Sequence, residues 1–418
     1  MRAIRSLSLL LLSAIACGGE PPGATADPAG LVTVFDSAAD TLSARTSGDV
    51  PPAAVRTLVQ EMAIAPGLDD TTLFTDVREL KVDGRGRMWV FDPGPKSILL
   101  FSPDGMLLRR IGRSGAGPGE FASTSGMAVL GDTGIAIWDS QNSRITFLDS
   151  AGSYRTSWPT PGGFNTFAGL ITDRSGALFM KRPVTAPREG EILGRMGLVR
   201  LREGGGFADS SAAPDLVVPR ESYVASNKGS TSSTGSNHAP GYHWAWHPDG
   251  YFLAADGGKF EITVARPNAK PLVIRRTATP VPVGEEEREI EKAGITYNLR
   301  QVDPSWSWRG PALPATKAPM SGLFVARDGR IWVRVAAPSV EIPAAELTPP
   351  RDSLAPVTKH YTPIVYEVFE PNGRFLGRVD LPRRARLAEA AGDQVWAIVP
   401  DADDVPAVTR FRVVPGFK

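Results

Sequence analysis

Short apolar runs separated by polar turns recur along most of the chain. Two stretches, Met88–Gly112 and Ile135–Trp158, each contain three runs of β-branched and aromatic residues, and a further apolar run precedes each stretch. The first turn begins with an aspartate in both, and these two residues, Asp92 and Asp139, are 47 positions apart. Such runs between turn-forming residues are typical of β-strands, so each unit is predicted to be four strands joined by tight turns.

Fainter copies of this unit continue to the end of the chain. They lie at Gly169–Met180, at Trp244–Pro267, at Gly322–Val335 with Pro363–Leu381, and at Ala385–Val399 with Ala407–Val414. A four-stranded repeat of roughly 40–50 residues is typical of a β-propeller blade. The predicted fold is therefore all-β, a six-bladed β-propeller of four-stranded antiparallel blades with one short helical insertion and long loops. A count of seven blades is the alternative.

The sixth unit contains only three apolar runs before the sequence ends. An earlier run, Thr57–Ile64, precedes the first unit in the way that an outer strand precedes the next blade. We therefore expect Thr57–Ile64 to form the outer strand of the last blade. This pairing would close the ring and protect an edge that would otherwise be exposed.

The stretch "GAGPGEF…GMAV…GIAIWDSQNSRITFLDSAGSY" resembles the NHL repeat. The chain from residue 56 to residue 415 resembles the six-bladed β-propeller proteins of the bacterial lipoprotein type, most specifically over its first two units. This resemblance implies a non-catalytic binding or scaffold module at the cell envelope. The propeller lactonases and lyases are the enzymatic alternative, and in them a divalent cation on the central axis is held by inward Glu, Asn, Asp or His side chains.

Three segments interrupt the repeats. Residues 202–240 are rich in Gly, Ser and Thr and are predicted to form a long loop after the third unit. Residues 284–319 begin with Gly284–Gln301, which is predicted to be helical because its glutamates at the start suit the helix dipole. Residues 336–361 fall within the fifth unit. Long loops on a rigid scaffold often determine specificity, so these insertions are expected to do so here.

The N-terminus has the pattern of an export signal. Two arginines precede a run from Leu7 to Ala16 that is apolar apart from two serines. This run is too short to cross a bilayer core as a helix, which takes about 20 residues. The following cysteine, Cys17, completes a sequence that resembles the bacterial lipobox. Lipidation of Cys17 is therefore expected, with an ordinary secretory peptide cut near Ala16 as the alternative.

These observations predict the organisation of the chain. Residues 1–16 form a signal peptide, residues 17–55 a lipid-attached tether and N-terminal extension, and residues 56–418 the propeller. The protein is expected at the periplasmic or extracellular face of the cell envelope, held to the membrane through the lipid on Cys17. A protein, peptide or glycan is the expected ligand, and no cofactor is predicted.

Composition restricts the classes of ligand and of structure that are expected. The net charge is +1, so the chain lacks the overall positive field that favours nucleic-acid binding. Cys17 is the single cysteine, so the exported domain has no internal disulfide and depends on its core for stability. Apolar residues make up 42% of the chain, which is enough for a substantial core. We expect a monomer that does not bind nucleic acid.

The glycine-rich loop Gly112–Phe121 invites comparison with phosphate-binding loops. Its last glycine is followed by Glu120 rather than by Lys-Ser or Lys-Thr, and the next element is a predicted strand. A phosphate loop needs a helix there, and a carboxylate would repel phosphate. The loop is therefore predicted to connect two blades, with Glu120 either a ligand-binding carboxylate at the rim or a cap for the turn.

Histidines and tryptophans supply the other candidate ligand-binding residues. Three of the four histidines lie close together in sequence, but their spacing is not a recognised metal-binding pattern, so they are weak candidates for metal ligands (His238, His243 and His247). Four tryptophans could line an aromatic binding surface or pack between blades (Trp244, Trp246, Trp306 and Trp308). His243 and His247 could contribute to the same surface.

The predicted inner strands offer little for metal chemistry. Their segments are "ELKV", "GMAV", "GLIT", "WAWH", "GLFV" and "ARLA", and among them Glu79 provides the single carboxylate. No convergent set of four ligands is visible. Two hypotheses therefore remain, a binding module and a metal-dependent hydrolase or lyase, and the side chains on the central axis discriminate between them.

Overall fold

The computed structural model describes residues 30–64, 75–160, 169–187, 194–350, 352–401 and 403–417, together with the backbone of a short strand at Thr25–Ala26. The predicted signal peptide and Cys17 lie outside the described residues. Within them, no helix is long and apolar enough to cross a membrane.

Four strands precede the repeats, and three complete blades follow. The early strands are β1 (Thr25–Ala26), β2 (Val32–Ser37), β3 (Leu42–Ser47) and β4 (Val55–Ile64). Blade 1 consists of β5 (Glu79–Val82), β6 (Met88–Asp92), β7 (Ser97–Phe101) and β8 (Leu107–Ile111). Blade 2 consists of β9 (Thr124–Val129), β10 (Gly134–Asp139), β11 (Arg144–Asp149) and β12 (Tyr154–Pro159). Blade 3 consists of β13 (Leu170–Thr172), β14 (Leu178–Pro183), β15 (Met196–Leu201) and β16 (Phe207–Ala212).

The second half of the chain forms the other three blades and the insertions. A hairpin of β17 (Tyr223–Asn227) and β18 (Ser230–Thr234) comes first. Blade 4 consists of β19 (Tyr242–His247), β20 (Tyr251–Asp256), β21 (Glu261–Ala265) and β22 (Leu272–Thr277), and the helix α1 (Glu285–Arg300) follows it. Blade 5 consists of β23 (Met320–Val325), β24 (Ile331–Val335), β27 (Ile364–Phe369) and β28 (Phe375–Leu381), interrupted by β25 (Val340–Glu341) and β26 (His360–Tyr361). Blade 6 begins with β29 (Arg386–Ala391), β30 (Gln394–Pro400) and β31 (Pro406–Val414).

The first strand of each blade lies nearest the centre. β5 adjoins β9 on one side and β29 on the other, so these strands surround an axis. Apolar clusters fill the spaces between blades, as where Trp89 and Phe91 of blade 1 pack with Ile135 and Ile137 of blade 2. The predicted all-β fold with six blades and one helix is confirmed.

The ring closes as the sequence predicts. β4 pairs antiparallel with β31, from Thr57 opposite Val414 to Ile64 opposite Val408, and so becomes the fourth strand of blade 6. Its first residues also pair in parallel with β28 of blade 5. Because Ile64 is 5% exposed within the cluster between blades 6 and 1, this strand contributes to the core as well as to the sheet.

Part of the segment predicted as a tether is folded. Within residues 17–55, β2 and β3 form a hairpin, and β3 pairs in parallel with β22 at the outer edge of blade 4. The buried Thr33 hydroxyl accepts a hydrogen bond from the backbone N–H of Phe375 at 3.1 Å, which ties the hairpin to blade 5 as well. The sequence does not predict these strands within the N-terminal extension because they are short and polar and their pairing is long-range.

One of the three insertions differs from its prediction. Residues 202–240 are not a loop throughout, since they contain β16, the outer strand of blade 3, and the hairpin β17–β18. β16 escaped notice because its sequence, "FADSSA", has a single large apolar residue. The predicted helix is confirmed, with Glu287 accepting from the N–H of Gly284 at 3.3 Å in a capping box. The insertion 336–361 lies between β24 and β27 of blade 5, as predicted.

All three long insertions open on the same face of the ring. Consecutive strands of a blade run in opposite directions, so the loops after its second and fourth strands emerge on one side. The segments 213–241, 278–319 and 336–363 all occupy such positions. We call the surface that they form the insertion face, and the turns between first and second strands lie on the opposite face.

Candidate binding face and central axis

Four charged side chains from three blades lie on the axis. Lys81 Nζ is 3.8 Å from Glu79 Oε1 and 3.4 Å from Glu389 Oε1, and Glu389 Oε2 is 3.9 Å from Arg327 Nε. Burial raises the pKa of Glu79, and the Lys81 ammonium is the largest influence opposing it. Burial also acts to lower the pKa of Lys81, but Glu389 and Glu79 outweigh it and raise that pKa above its ordinary value. Positive and negative groups thus alternate along the axis and neutralise one another.

Glu389 is a charged residue on the axis that the sequence does not predict there. The sequence predicts the inner strand of blade 6 at "ARLA", whereas β29 extends from Arg386 to Ala391 and shifts its register between Leu387 and Glu389. This irregularity turns Glu389 toward Lys81. The signal available in the sequence was the carboxylate immediately after the predicted segment.

Arg327 closes the axis at the end opposite the insertion face. It belongs to the turn between the first two strands of blade 5, and its guanidinium donates to the carbonyl oxygens of Val82 at 2.9 Å and Asp83 at 3.0 Å in blade 1. Its backbone N–H donates to Ala390 O in blade 6 at 3.0 Å. Arg327 therefore links three blades near the centre of the ring.

The hairpin β17–β18 and α1 pack together as a cap on the insertion face. Tyr223, Ile295, Leu299 and Trp306 form a small core of their own, separate from the clusters between blades. Trp306 is 1% exposed, and its indole N–H donates to Val224 O at 3.0 Å. The cap is therefore a packed unit held over the ring and not a loose loop.

A cleft of about 390 Å³ opens between the cap and the insertion of blade 5. One wall is α1, where Ile290, Gly294 and Asn298 face the space, and Pro356 and His360 lie on the other side. The two walls approach each other at Gly294. A Cβ added to this residue would lie 3.8 Å from Pro356 Cγ, which is an ordinary van der Waals contact. Apolar side chains of the same insertion remain exposed, with Leu354 at 81%.

A network of partly buried polar groups forms the floor of the cleft. Glu287 Oε1 accepts from Lys317 Nζ at 2.9 Å and from Ser339 Oγ at 2.6 Å, and Lys317 Nζ also donates to Ser339 Oγ at 2.7 Å. Hydrogen bonds from Ser339 and Lys317 lower the pKa of Glu287 although burial acts to raise it. On the next turn of α1, Glu291 accepts from Ser236 Oγ at 3.1 Å. These contacts fix the cap to the ring and leave the carboxylates already satisfied.

Glu120 caps its loop. Its carboxylate accepts from the backbone N–H of Gly117 and from Arg113 Nε, each at 2.8 Å, and these two contacts are the main reasons that its pKa is lowered. Arg144 donates to the carbonyl oxygens of Gly117 and Glu120 from the other side, at 2.7 and 2.9 Å. The sequence allows either a rim ligand or a cap for this carboxylate, and its contacts are those of a cap.

The aspartates that open the repeated turns also serve the backbone. Asp139 is fully buried and accepts from the N–H groups of Ala122 and Ser123, each at 3.0 Å, just before the inner strand of its own blade. Asp92 makes the equivalent contact with the N–H of Thr75 at 3.1 Å. Both residues thus position the entry of the inner strand of their own blade.

The three clustered histidines lie in separate environments. His238 Nε2 is 3.6 Å from Glu287 and 3.7 Å from Glu291 in the cleft. His243 is partly buried, burial lowers its pKa, and its Nε2 has no hydrogen-bond partner. His247 Nδ1 accepts from the N–H of Asp249 at 3.0 Å and its Nε2 lies 3.2 Å from Gly329 O, so both ring nitrogens are engaged. Among the described residues, no three His, Cys, Asp or Glu side chains form a group that could hold a metal.

The four candidate tryptophans divide into two pairs. Trp244 and Trp246 pack between blades 3 and 4 around Phe252, with ring centroids 5.6 and 4.7 Å from it. Trp306 lies inside the cap, and Trp308 stacks against its core 4.6 Å from Tyr223. The structure does not bring the two pairs into one aromatic surface.

Comparison with known proteins bears on the fold. Residues 68–157 match the model of the DUF5128 family, described as a 6-bladed beta-propeller. No curated protein matches the sequence.

Solved structures of similar fold share little sequence with this chain. A Bacteroides fragilis protein whose name describes it as exported has a TM-score of 0.47 at 11% identity, covering 89% of this chain and 99% of its own. A DUF4221 family member from Bacteroides vulgatus has a TM-score of 0.48 at 11% identity, covering 85% and 98%. An inactive virginiamycin B lyase from Staphylococcus aureus has a TM-score of 0.39 at 11% identity, covering 84% and 99%. With six blades, a ring closed by an N-terminal strand and a match to a family of that description, the chain is a six-bladed β-propeller.

Proposed function

We propose that this protein is a non-catalytic binding module that takes a protein, peptide or glycan ligand through its insertion face. The observation that supports this most directly is the cleft beside α1. It is built from three separate segments that the propeller fold does not require, and two of those segments form a packed cap with its own core. Extra chain packed into a defined cleft is the usual way in which a rigid scaffold acquires specificity.

The charges on the axis support this proposal over metal-dependent catalysis. A hydrolase or lyase of this fold would use inward carboxylates to hold a divalent cation. Here the Lys81 ammonium lies between Glu79 and Glu389, and the Arg327 guanidinium is 3.9 Å from Glu389. The carboxylates are thus compensated by the cations of the protein itself, and a divalent ion would have to displace them against charge repulsion.

Filling the cleft with a large side chain tests whether it is the binding site. Gly294→Phe places an aromatic ring in the cleft, and Ala293→Phe places the same ring on the exposed side of the same helix as a matched control. Purified protein is screened against a displayed peptide library and a glycan array. The proposal predicts ligands that bind the unaltered protein and the Ala293 variant and that lose binding to the Gly294 variant.

Two outcomes would contradict the proposal. One is that every ligand found binds the two phenylalanine variants equally well. The other is that elemental analysis of the purified protein finds a stoichiometric divalent metal that Glu389→Gln removes, which would favour the hydrolase or lyase.

We further propose that the protein is exported and anchored to the cell envelope through a lipid on Cys17. The support is the arginine-led apolar segment before Cys17 and the likeness of that sequence to a lipobox. Cys17→Ser should move the protein from the membrane fraction to the soluble envelope fraction. Unchanged membrane association of this variant would refute the anchor.

A further inference from the structure

The N-terminal hairpin of β2 and β3 is fixed to two blades of the ring. β3 pairs in parallel with β22 over six residues, at the outer edge of blade 4. Just beyond β3, the Gly48 carbonyl oxygen accepts a hydrogen bond from the Arg276 guanidinium at 2.6 Å, and this buried guanidinium also pairs with Glu367 of blade 5 at 2.8 Å. The place at which the N-terminal part of the chain joins the ring is therefore fixed.

Strand directions show from which side the chain enters this hairpin. β22 is the fourth strand of blade 4, so it ends at the insertion face, and β3 runs parallel to it. β2 is antiparallel to β3, and β1 is antiparallel to β2, so β1 runs toward the insertion face. The first residue of β1, Thr25, therefore lies at the end of that strand farther from the insertion face.

Few residues separate Cys17 from β1. Cys17 and Thr25 are eight residues apart in the sequence. An extended chain of that length spans at most about 28 Å. The seven-stranded sheet that contains β1 and blade 4 extends about 29 Å from β1 to β19 beside the axis, at about 4.8 Å per strand. A lipid on Cys17 therefore cannot reach beyond the axis, and a membrane that holds this lipid must lie on the blade 4 side of the ring.

The outer surface of the hairpin is apolar and close to neutral. Val32 and Val34 are 41% and 42% exposed, and they lie on the same face of β2 because alternate residues of a strand share a face. With Arg45 of β3 they line a depression of about 460 Å³. Arg45 is 3.7 Å from Asp36, so the charges beside the valines compensate one another. Such a surface suits contact with lipid without requiring anionic headgroups.

We propose that this hairpin is the membrane-facing surface of the protein, with β2 against the lipid bilayer and the insertion face in solvent. The inference rests on the lipid on Cys17 proposed above and adds the orientation in which that lipid holds the ring. Val32 and Val34 contact the headgroup region, and the cleft beside α1 stays open to a protein, peptide or glycan. Two partly exposed valines bury little apolar area, so the lipid supplies most of the attachment.

Quenching of a fluorescent label by lipid tests this orientation. Cys17 is the single cysteine, and the proposed lipid occupies its thiol, so a cysteine introduced elsewhere can be labelled alone with bimane. The lipidated protein is purified from a bacterial envelope and reconstituted into phosphatidylcholine vesicles in which some headgroups carry a nitroxide. Bimane at Val34→Cys should lose most of its fluorescence relative to vesicles without nitroxide.

Two matched controls carry the same label on exposed leucines far from the hairpin. Leu354 lies in the insertion of blade 5, and Leu108 lies on the outer strand of blade 1, across the six-bladed ring from blade 4. Bimane at Leu354→Cys or at Leu108→Cys should keep its fluorescence in the same nitroxide vesicles. Both leucines are more exposed than Val34, so poor access of the dye to the control sites would not explain a difference.

Three results would overturn the inference. If the anchored protein shows equal quenching at Val34 and at either leucine, the orientation is wrong while the anchor stands. If mass spectrometry finds no lipid on Cys17 of the purified protein, the anchor fails and the orientation fails with it. If bimane-labelled and nitroxide-labelled Val34→Cys molecules, made in the lipid-free Cys17→Ser background, quench each other in solution, the surface binds a second copy of the chain instead.

Discussion

Replacing Lys81 by methionine would remove the positive charge that lies between Glu79 and Glu389 while keeping a side chain of similar length. Glu389 is the more enclosed carboxylate, with its side chain 9% exposed, whereas Glu79 and Lys81 keep 25% and 27% exposure toward the channel. Removing one partner of a fully buried ion pair costs about 3–5 kcal/mol. Because channel water screens part of the effect, we expect a loss of about 2–3 kcal/mol in the free energy of unfolding.

The loss should depend on pH in a defined direction. Burial raises the pKa of Glu79 in the folded protein, and Lys81 is the largest influence that holds it down. Without Lys81 this pKa rises further, so the folded variant binds a proton more tightly than the unfolded chain does. Such a group stabilises the fold below its unfolded pKa, and that stability is lost as the pH rises through the folded pKa. The variant should therefore approach the unaltered protein near pH 4 and fall behind it toward neutral pH.

The assay is equilibrium urea unfolding of both proteins at several pH values, followed by tryptophan fluorescence. A thermal scan should show a decrease in Tm of about 3 °C at neutral pH, given an unfolding entropy of about 0.8 kcal/mol per kelvin for a domain of this size. Lys259→Met is the control, because Lys259 is 72% exposed beside Asp256 and its removal should cost less than about 0.5 kcal/mol. A loss below 1 kcal/mol for the Lys81 variant, or a loss independent of pH, would refute the reasoning.

Three further predictions concern the ring. Ile64→Ala should lower the free energy of unfolding in urea by about 2–4 kcal/mol because it leaves a cavity between blades 6 and 1. Val59, on the same strand, is 41% exposed, so Val59→Ala should lower it by less than about 1 kcal/mol. Equal losses would contradict closure of the ring by this strand. Glu120→Gln should speed hydrogen exchange at the Gly117 amide at neutral pH, relative to the unaltered protein. This difference should disappear as the pH falls through the lowered pKa of Glu120, and a difference that persists would contradict the prediction. His247→Asn should retain more stability than His247→Ala by about 1 kcal/mol, because asparagine can accept the Asp249 N–H bond, and identical unfolding midpoints would exclude that role.

The repeat could be recognised in the sequence because it depends on local patterns. Strands such as β6 and β10 are continuous apolar runs that end at Asp92 and Asp139, and the spacing of those aspartates reveals the blade. The closing strand was also predictable, since a sixth unit with three strands needs a fourth from elsewhere in the chain. The helix followed from the acidic residues of its first turn.

The features that the sequence could not supply all depend on contacts between distant segments. β3 joins blade 4 by pairing with β22, more than 200 residues away, and nothing in its short polar sequence indicates a partner. Glu389 reaches the axis through a shift in strand register, which no local pattern announces. The separation of the three histidines likewise depends on which blade packs beside each one.

The sequence by itself therefore determined the architecture of this protein, its closed ring and its helix, because these follow from the alternation of strands and turns along the chain. Only the tertiary structure decided the content of the axis and of the insertion face. Lys81 neutralises Glu79 and Glu389, and a cleft opens between the cap and the insertion of blade 5. Charge compensation is a property of neighbours in space, and a repeat that specifies the ring does not specify which side chains meet at its centre.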